Sequence, residues 1–135
     1  MSSGLPPQPN KRCFACGAEN SRGLQLTFLP GPDGSASADW QTDSEWESFS
    51  GVIHGGIIST VLDEAMSKAV TLSGPAGLTC ELRIRLRQHL VPGERVTVRG
   101  WVVERRKRRI QTEATLRDAR GVERAHGWAT FLTTA

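Results

Sequence analysis

The residues best suited to chemistry lie together in the stretch GVIHGGIISTVLDE. His54 precedes two glycines, Gly55 and Gly56, and two carboxylates follow at Asp63 and Glu64. If a helix begins at these glycines, its first turn presents unpaired backbone N–H groups and a partial positive charge. Such groups can stabilise an oxygen that becomes negative during a reaction, and one donor is commonly worth on the order of 3 kcal/mol. The glycines also suit a plain tight turn into a helix, and the residues alone favour neither interpretation.

A helix must position these residues, and residues 56–72 have the best helical pattern in the chain. On a wheel that advances 100° per residue, the apolar side chains fall on one arc that would pack on a sheet. They are Ile57, Ile58, Val61, Leu62, Ala65, Met66 and Ala69. Gly56 and Asp63 fall on the opposite arc, whereas Glu64 lies at the border and is interpreted as a solvated side chain.

The distance along this helix limits what one chain can do. Seven residues separate Gly56 from Asp63, which is roughly 10 Å at the rise of an α-helix. One chain therefore cannot easily bring the glycine donors and the Asp63 carboxylate to the same atom. Two chains could do so if their helices packed antiparallel across a two-fold axis. The plainer interpretation of Asp63 is a residue on a solvated polar face.

His54 stands just before the helix and suits three roles: a base, a hydrogen-bond donor near the oxyanion, or a cap that fixes the turn. We favour an orienting role because no neighbouring group in the sequence obviously tunes the pKa of the imidazole. The other two histidines, His89 and His126, lie in strand or turn context and are interpreted as structural.

Alternating apolar and polar residues predict strands on both sides of the helix. Residues 23–30 and 35–41 would form a hairpin around the turn GPDG. Four longer strands follow the helix, at residues 79–87, 95–105, 109–117 and 122–133. Their order predicts a four-strand antiparallel meander and an α+β fold, in which a single sheet wraps against one long helix.

Length and composition favour one globular domain. The chain has 135 residues, of which 38% are hydrophobic and 23% are charged. We expect a flexible N-terminal tail over residues 1–21 and a folded domain over residues 22–135. No apolar run is long enough to cross a membrane, and no signal peptide is visible. For this reason we expect no membrane partner. Because the three cysteines do not make a disulfide framework, we expect a cytoplasmic protein.

The sequence CFACG at residues 13–17 contains a Cys-x-x-Cys pair that resembles half of a zinc site. Tetrahedral zinc needs two further ligands, and the chain has no second pair of this kind. Two pairs from two chains could complete a site. A redox pair or plain thiols are favoured, however, so no metal is expected.

The basic residues are unevenly spread. Residues 81–109 carry ten Lys or Arg against three Glu, although the net charge of the whole chain is only +3. This segment can attract phosphates of a nucleic acid or of a nucleotide-bearing cofactor, or it can be a set of solvated strand faces. Aromatic residues are few and are not interleaved with the basic run, so nucleic acid is not expected as a partner.

The stretch GVIHGGIISTVLDEAM, followed by alternating strands and by the turn in LVPGERVTV, resembles the hotdog-fold thioesterases. The likeness is closest to the phenylacetate-degradation type, called PaaI-like, and covers about residues 22–133. It implies an antiparallel sheet wrapped around one long helix, and dimers that join their sheets edge to edge and often pair into tetramers. It also implies active sites between protomers and an acyl-CoA thioester as the substrate, with no separate cofactor.

The resemblance assigns roles residue by residue. It implies that the Gly55 N–H polarises the thioester carbonyl, with His54 in support. It implies that Asp63 of the partner subunit activates water or attacks the carbonyl directly. Ser67 matches a hydroxyl that relatives commonly place one turn after the acid. Ser48 stands where relatives often place Asn or Gln, and it could hold a water less firmly.

The basic segment gains a meaning from the resemblance, because coenzyme A carries a 3′-phosphate and a pyrophosphate. Charge-assisted hydrogen bonds could hold these groups, with Gly56 beside the acyl end of the substrate. The candidate arginines are Arg83, Arg85 and Arg87, or those of the hairpin tip at residues 105–109.

The first hypothesis for function is therefore an acyl-CoA thioesterase. A second is a non-catalytic acyl-CoA-binding or regulatory protein on the same fold. A hotdog dehydratase or hydratase ranks last, because such enzymes usually need a His paired with an acid at a different spacing.

Overall fold

Residues 9–133 are described by a computed structural model, in which one long helix packs against an antiparallel sheet. The helix α1 spans Gly55–Ser73 and is preceded by a short 3-10 turn, Ser44–Trp46. The six strands are β1 (Leu29–Pro30), β2 (Ala36–Gln41), β3 (Gly77–Leu86), β4 (Arg95–Arg106), β5 (Arg109–Asp118) and β6 (Glu123–Thr133). The predicted α+β architecture is confirmed, and the predicted helix at residues 56–72 is one residue longer at each end.

The strands lie in the order β1-β2-β4-β5-β6-β3. Only β4, β5 and β6 form a meander, because β3 pairs with β6 at the far edge of the sheet and not with β4. The predicted four-strand meander is therefore wrong. The cause is α1, whose 19 residues span roughly 28 Å and carry the chain from β2 across the sheet to its opposite edge.

The predicted hairpin near the N-terminus is only partly formed. β1 has two residues instead of eight, and it pairs with the start of β2. The segment before β1 is held differently, because the N–H groups of Leu24 and Leu26 donate to the carbonyls of Phe14 and Ala15 at 2.8 and 2.9 Å. The side chains of both leucines are buried in the core.

The expected flexible tail at residues 1–21 falls partly on residues 1–8, which lie outside the described residues. Residues 9–21 fold as a series of turns against the rest of the domain, so the expectation is corrected for this part. Ala15 is buried, and the Gly17 N–H donates to the carbonyl of Cys13 at 2.8 Å. The hydrogen bonds from the N–H groups of Leu24 and Leu26 to carbonyls of these turns hold the turns against the domain.

The core lies between the sheet and one side of α1. The buried helix residues are Ile58, Val61, Leu62, Ala65, Met66, Ala69 and Val70, which largely confirms the predicted apolar arc. Gly100 in β4 allows the helix to come close, because a Cβ there would lie 2.5 Å from the carbonyl of Ala65. The polar arc of α1 is thereby turned away from the sheet. No helix in residues 9–133 is long and apolar enough to span a bilayer.

Candidate active site

The first turn of α1 is capped by His54. Its backbone is extended, with φ −60° and ψ 127°, and its Nδ1 accepts a hydrogen bond from the Gly56 N–H at 2.9 Å. Because an accepting Nδ1 carries no proton, the proton of the neutral imidazole sits on Nε2. The structure thus shows the capping role among the three that the sequence allowed. A base at Nδ1 would have to release the helix N–H first.

Gly55 provides a backbone N–H donor that the His54 cap does not engage. Among the described residues, no acceptor is assigned to the Gly55 N–H, whereas the N–H groups of Ile57 and Ile58 both donate to the His54 carbonyl. A Cβ on Gly55 would lie 2.9 Å from Cδ1 of Leu86 in β3. The absence of a side chain therefore lets the edge strand approach the start of the helix. The free N–H can then serve an oxyanion.

A pocket of about 280 Å³ opens beside this turn. It is lined by apolar and polar residues, which are Glu45, Trp46, Glu47, His54, Gly56 and Ile57. Trp46 is half-buried and stacks on Trp40 with ring centroids 5.7 Å apart, so one wall of the pocket is rigid. The pocket offers apolar contact surface next to polar side chains, which is the usual composition of a small-molecule site.

Asp63 lies on the exposed flank of α1 but is partly buried by β3. Its Oδ1 accepts a hydrogen bond from the Thr79 hydroxyl at 2.8 Å. Burial raises the pKa of the Asp63 carboxyl above its usual range, and the neighbouring Glu64 raises it further, while the hydrogen bond from Thr79 opposes the rise. A carboxylate with a raised pKa is a stronger base once it is ionised.

The two halves of the predicted site stay apart within one chain. Gly55 and Asp63 are eight residues apart on a continuous helix, which corresponds to roughly 12 Å. No single carbonyl carbon can touch both groups at this separation. The geometry therefore agrees with the expectation that a complete site needs two chains.

The two predicted serines flank these halves. Ser67 lies one helical turn after Asp63 and is half-buried. Ser48 is exposed in the loop before α1, where its N–H donates to the carbonyl of Val52 at 2.9 Å. The neighbouring Phe49 has 83% of its surface exposed, which is unusual for a phenylalanine.

Two of the predicted phosphate-binding arginines, Arg83 and Arg85, lie on β3, on the face of the sheet away from α1, and Arg87 follows the end of this strand. The guanidinium carbons of Arg83 and Arg85 lie 4.2 and 5.9 Å from the ring centroid of Trp128. Arg87 forms an ion pair with Glu123, with its Nε at 2.7 Å from the carboxylate. Each guanidinium already contacts another side chain of the protein. A phosphate would have to bind the guanidinium beside that contact.

Comparison with known proteins identifies the family. The model of the thioesterase superfamily matches residues 50–125, which include α1 and most of the sheet. The chain belongs to the thioesterase superfamily. No curated protein matches the sequence. Family membership supports the prediction of a thioester hydrolase, and the sheet and helix described above have the predicted hotdog fold.

Solved structures of this superfamily share the fold. A crystallised thioesterase superfamily protein has 24% sequence identity and a TM-score of 0.86 over 90% of this chain, which spans 60% of the length of that protein. The PaaI protein of the phenylacetic acid degradation operon of E. coli has 15% identity and a TM-score of 0.76, over 82% of this chain and 80% of its own. A hypothetical thioesterase protein from Streptococcus pneumoniae was solved with coenzyme A. It has 17% identity and a TM-score of 0.76, and the match covers 82% of this chain and 89% of that protein.

Two residues that contact the predicted site were not recognised as such from the sequence. Thr79 donates to Asp63, and Leu86 touches the start of α1. Both lie on β3, and their alternation predicted a strand but carried no information on which part of the helix the strand would meet. Glu64 was interpreted as solvated, yet only 14% of its side chain is exposed because the segment at residues 10–17 covers it.

Proposed function

We propose that this protein hydrolyses acyl-CoA thioesters at sites shared between two protomers. The unpaired Gly55 N–H at the start of α1, in the fold of the thioesterase superfamily, is the observation that carries the proposal. The acyl-CoA substrate is supported by two related structures, the pneumococcal protein with coenzyme A and a Streptococcus mutans protein bound to acetyl CoA. The mechanism follows from the chemistry of the named groups.

The thioester carbonyl oxygen accepts a hydrogen bond from the Gly55 N–H, with the positive end of the helix behind it. A water held by Asp63 of the partner subunit loses a proton to that carboxylate and attacks the carbonyl carbon. The tetrahedral intermediate then collapses, the carbon–sulfur bond breaks, and the coenzyme A thiolate leaves. Asp63 returns the proton to the thiolate, and the free acid departs.

Asp63 can also attack the carbonyl itself, which would form an anhydride that water then hydrolyses. One turnover in water labelled with heavy oxygen separates the two routes. Attack by water delivers the label to the product acid. Direct attack can leave the label in the carboxyl group of Asp63, where peptide mass spectrometry detects it.

A dimer is proposed because one chain holds two incomplete half-sites and an open sheet edge. Within residues 9–133, β3 pairs with β6 on one side only, and its leucines Leu78, Leu82 and Leu86 are exposed. An exposed edge strand with apolar side chains is a template for pairing with a second strand. Pairing two β3 edges about a two-fold axis would set the two helices antiparallel. A tetramer would then be a pair of such dimers.

The phosphates of coenzyme A are proposed to meet Arg83 and Arg85 of β3 and Arg87 just after it, with Gly56 beside the acyl end. Arg87 follows Leu86, which packs against Gly55, so its backbone lies near the start of α1 while its side chain points to the opposite face of the sheet. Arg83 and Arg85 present their guanidinium groups on the same face of the strand. An arginine that already stacks on an aromatic ring can still donate hydrogen bonds from its edge to a phosphate.

Replacing Asp63 tests the function. We expect Asp63→Asn to lower kcat for release of the coenzyme A thiol by about 10²–10⁴-fold, since it removes the base and keeps the shape. The matched control is Asp39→Asn, because Asp39 also accepts a hydrogen bond from a threonine but lies exposed on β2. Short, long and aromatic acyl-CoA esters should all be assayed. Unchanged turnover of every accepted ester in Asp63→Asn contradicts the mechanism, and saturable binding without thiol release favours the non-catalytic alternative.

A further inference from the structure

Three potential metal ligands meet where the N-terminal turns dock on α1. The Sγ atoms of Cys13 and Cys16 and a carboxylate oxygen of Glu64 all lie within 4.8 Å of one another. The two cysteines are free thiols, and all three side chains are half-buried. The Cys-x-x-Cys pair thus gains its third partner from the helix, 48 residues further along the chain than Cys16.

The spacing suits a tetrahedral cation. Zinc bonds thiolate sulfur at about 2.3 Å and carboxylate oxygen at about 2.0 Å, so a tetrahedral angle separates those two ligand atoms by about 3.5 Å. The observed distance from Cys13 Sγ to Glu64 Oε2 is 3.7 Å. A small convergence of the side chains would therefore seat an ion between them. In residues 9–133 the cluster has three such side chains, which leaves one tetrahedral position for water.

The backbone around the pair is shaped as a tight knuckle. The Cys16 N–H points to the sulfur of Cys13 at 3.5 Å, and the Gly17 N–H donates to the Cys13 carbonyl at 2.8 Å. A Cβ at Gly17 would lie 2.4 Å from the Cys13 nitrogen, so this turn needs glycine. Donation by a backbone N–H stabilises a thiolate sulfur, which is the form that binds a metal. The turn therefore holds both sulfurs on the side that faces Glu64.

The surrounding charge suits a divalent ion. Two thiolates and one carboxylate carry three negative charges, which a divalent cation reduces to one. The Lys68 ammonium, 4.0 Å from Glu64 and beside Cys16, offsets the remaining charge. A disulfide between the two cysteines would make no use of the carboxylate.

We propose that Cys13, Cys16 and Glu64 bind one zinc-class divalent cation per chain. Binding releases the two thiol protons to solvent and forms two sulfur–metal bonds and one oxygen–metal bond. The ion fastens the N-terminal turns to α1 at the residue that follows Asp63. The ion would thereby couple the docking of residues 10–26 on α1 to metal occupancy.

The test measures metal content and stability of the full chain. We expect the protein, purified without chelator and supplied with Zn²⁺, to hold about one zinc per chain, as the three-ligand site requires. Replacement by Co²⁺ should give a sulfur-to-cobalt charge-transfer band and the intense visible bands of tetrahedral cobalt. A chelator should lower the thermal midpoint of the wild type, because the folded state, which brings Glu64 to the two cysteines, binds the ion more tightly than the unfolded chain does.

Single substitutions assign the ligands. Cys13→Ser, Cys16→Ser and Glu64→Gln should each weaken zinc affinity at least about 10-fold, and the cysteine variants should lose the charge-transfer band. Cys80→Ser is the matched control, because Cys80 is exposed on β3 outside the cluster and its loss should change neither readout. Glu64→Gln keeps the size of the side chain, so it stays informative if a cysteine variant fails to fold.

Absence of metal from the wild type after zinc supply overturns the proposal. A wild-type mass lower by two hydrogens, which would mark a Cys13–Cys16 disulfide, also overturns it. Equal zinc binding by the wild type and all three ligand variants does the same. None of these readouts depends on thioester hydrolysis, so they are independent of the fate of the proposed function.

Discussion

At the scale of single residues, the decisive feature is the environment of the Asp63 carboxyl. Burial and the adjacent Glu64 raise its pKa, and only the Thr79 hydroxyl favours its charged form. A general base must be ionised, so activity is present above the pKa of Asp63 and is lost as the pH falls through it. The acid limb of the pH profile should therefore lie above the usual pKa of an aspartate, about 3.9.

Thr79→Val sharpens this prediction. The substitution keeps the shape of the side chain and removes the hydrogen bond that lowers the pKa of Asp63, so the acid limb of kcat should move to higher pH. Thr97→Val is the matched control, because Thr97 donates to Asp39 at 2.9 Å in an exposed position of the sheet. The pH dependence of thiol release measures both variants. An acid limb that stays in place in Thr79→Val would show that Asp63 is not the titrating base.

At the scale of the element, the first turn of α1 combines a cap, a free donor and a steric requirement. His54 accepts a hydrogen bond from the Gly56 N–H, whereas the Gly55 N–H has no acceptor among the described residues. The lack of a side chain on Gly55 makes room for Leu86. Two substitutions at Gly55 separate these properties. Gly55→Ala adds a Cβ against Leu86 but keeps the donor. Gly55→Pro adds the same contact and removes the donor, at a helix position that tolerates proline.

The extended backbone of His54 is compatible with a proline after it, so both variants should retain α1. We expect Gly55→Pro to have a kcat about 10²–10³-fold below that of Gly55→Ala, the usual cost of one oxyanion donor. Thiol release measures kcat, and circular dichroism checks that the helix content is equal. Equal activities of the alanine and proline variants would remove the Gly55 N–H from the mechanism.

This element also shows how far sequence reasoning reaches. The motif from His54 to Asp63 and the apolar arc of the helix are local patterns, and they predicted α1 to within one residue at each end. Strand pairing is non-local, so alternation in β3 predicted a strand but not its neighbour β6. The contacts of Asp63 with Thr79 and of Cys13 with Glu64 depend on that pairing and on the docked N-terminal turns. Neither contact can be predicted from the spacing of residues in the sequence.

At the scale of the whole molecule, the proposed function places two different half-sites on one chain, next to the sheet edge formed by β3. The donor at Gly55 and the base at Asp63 lie roughly 12 Å apart on one rigid helix, so hinge motion within the chain cannot unite them. The proposed pairing through β3 would supply each half-site with its complement. A protomer that stays separate should consequently have neither complete site, and activity should fall with dilution below the dissociation constant of the dimer.

Mixing two inactive variants tests the shared site directly. In a heterodimer of Asp63→Asn and Gly55→Pro chains, one site carries both substitutions and the other carries none. Equal amounts of the two chains that reassort at random should recover about one quarter of wild-type activity, because half of the dimers then hold one intact site of two. Thiol release before and after co-refolding measures the recovery. Sites confined to single chains would give no recovery, and each variant refolded alone sets the baseline.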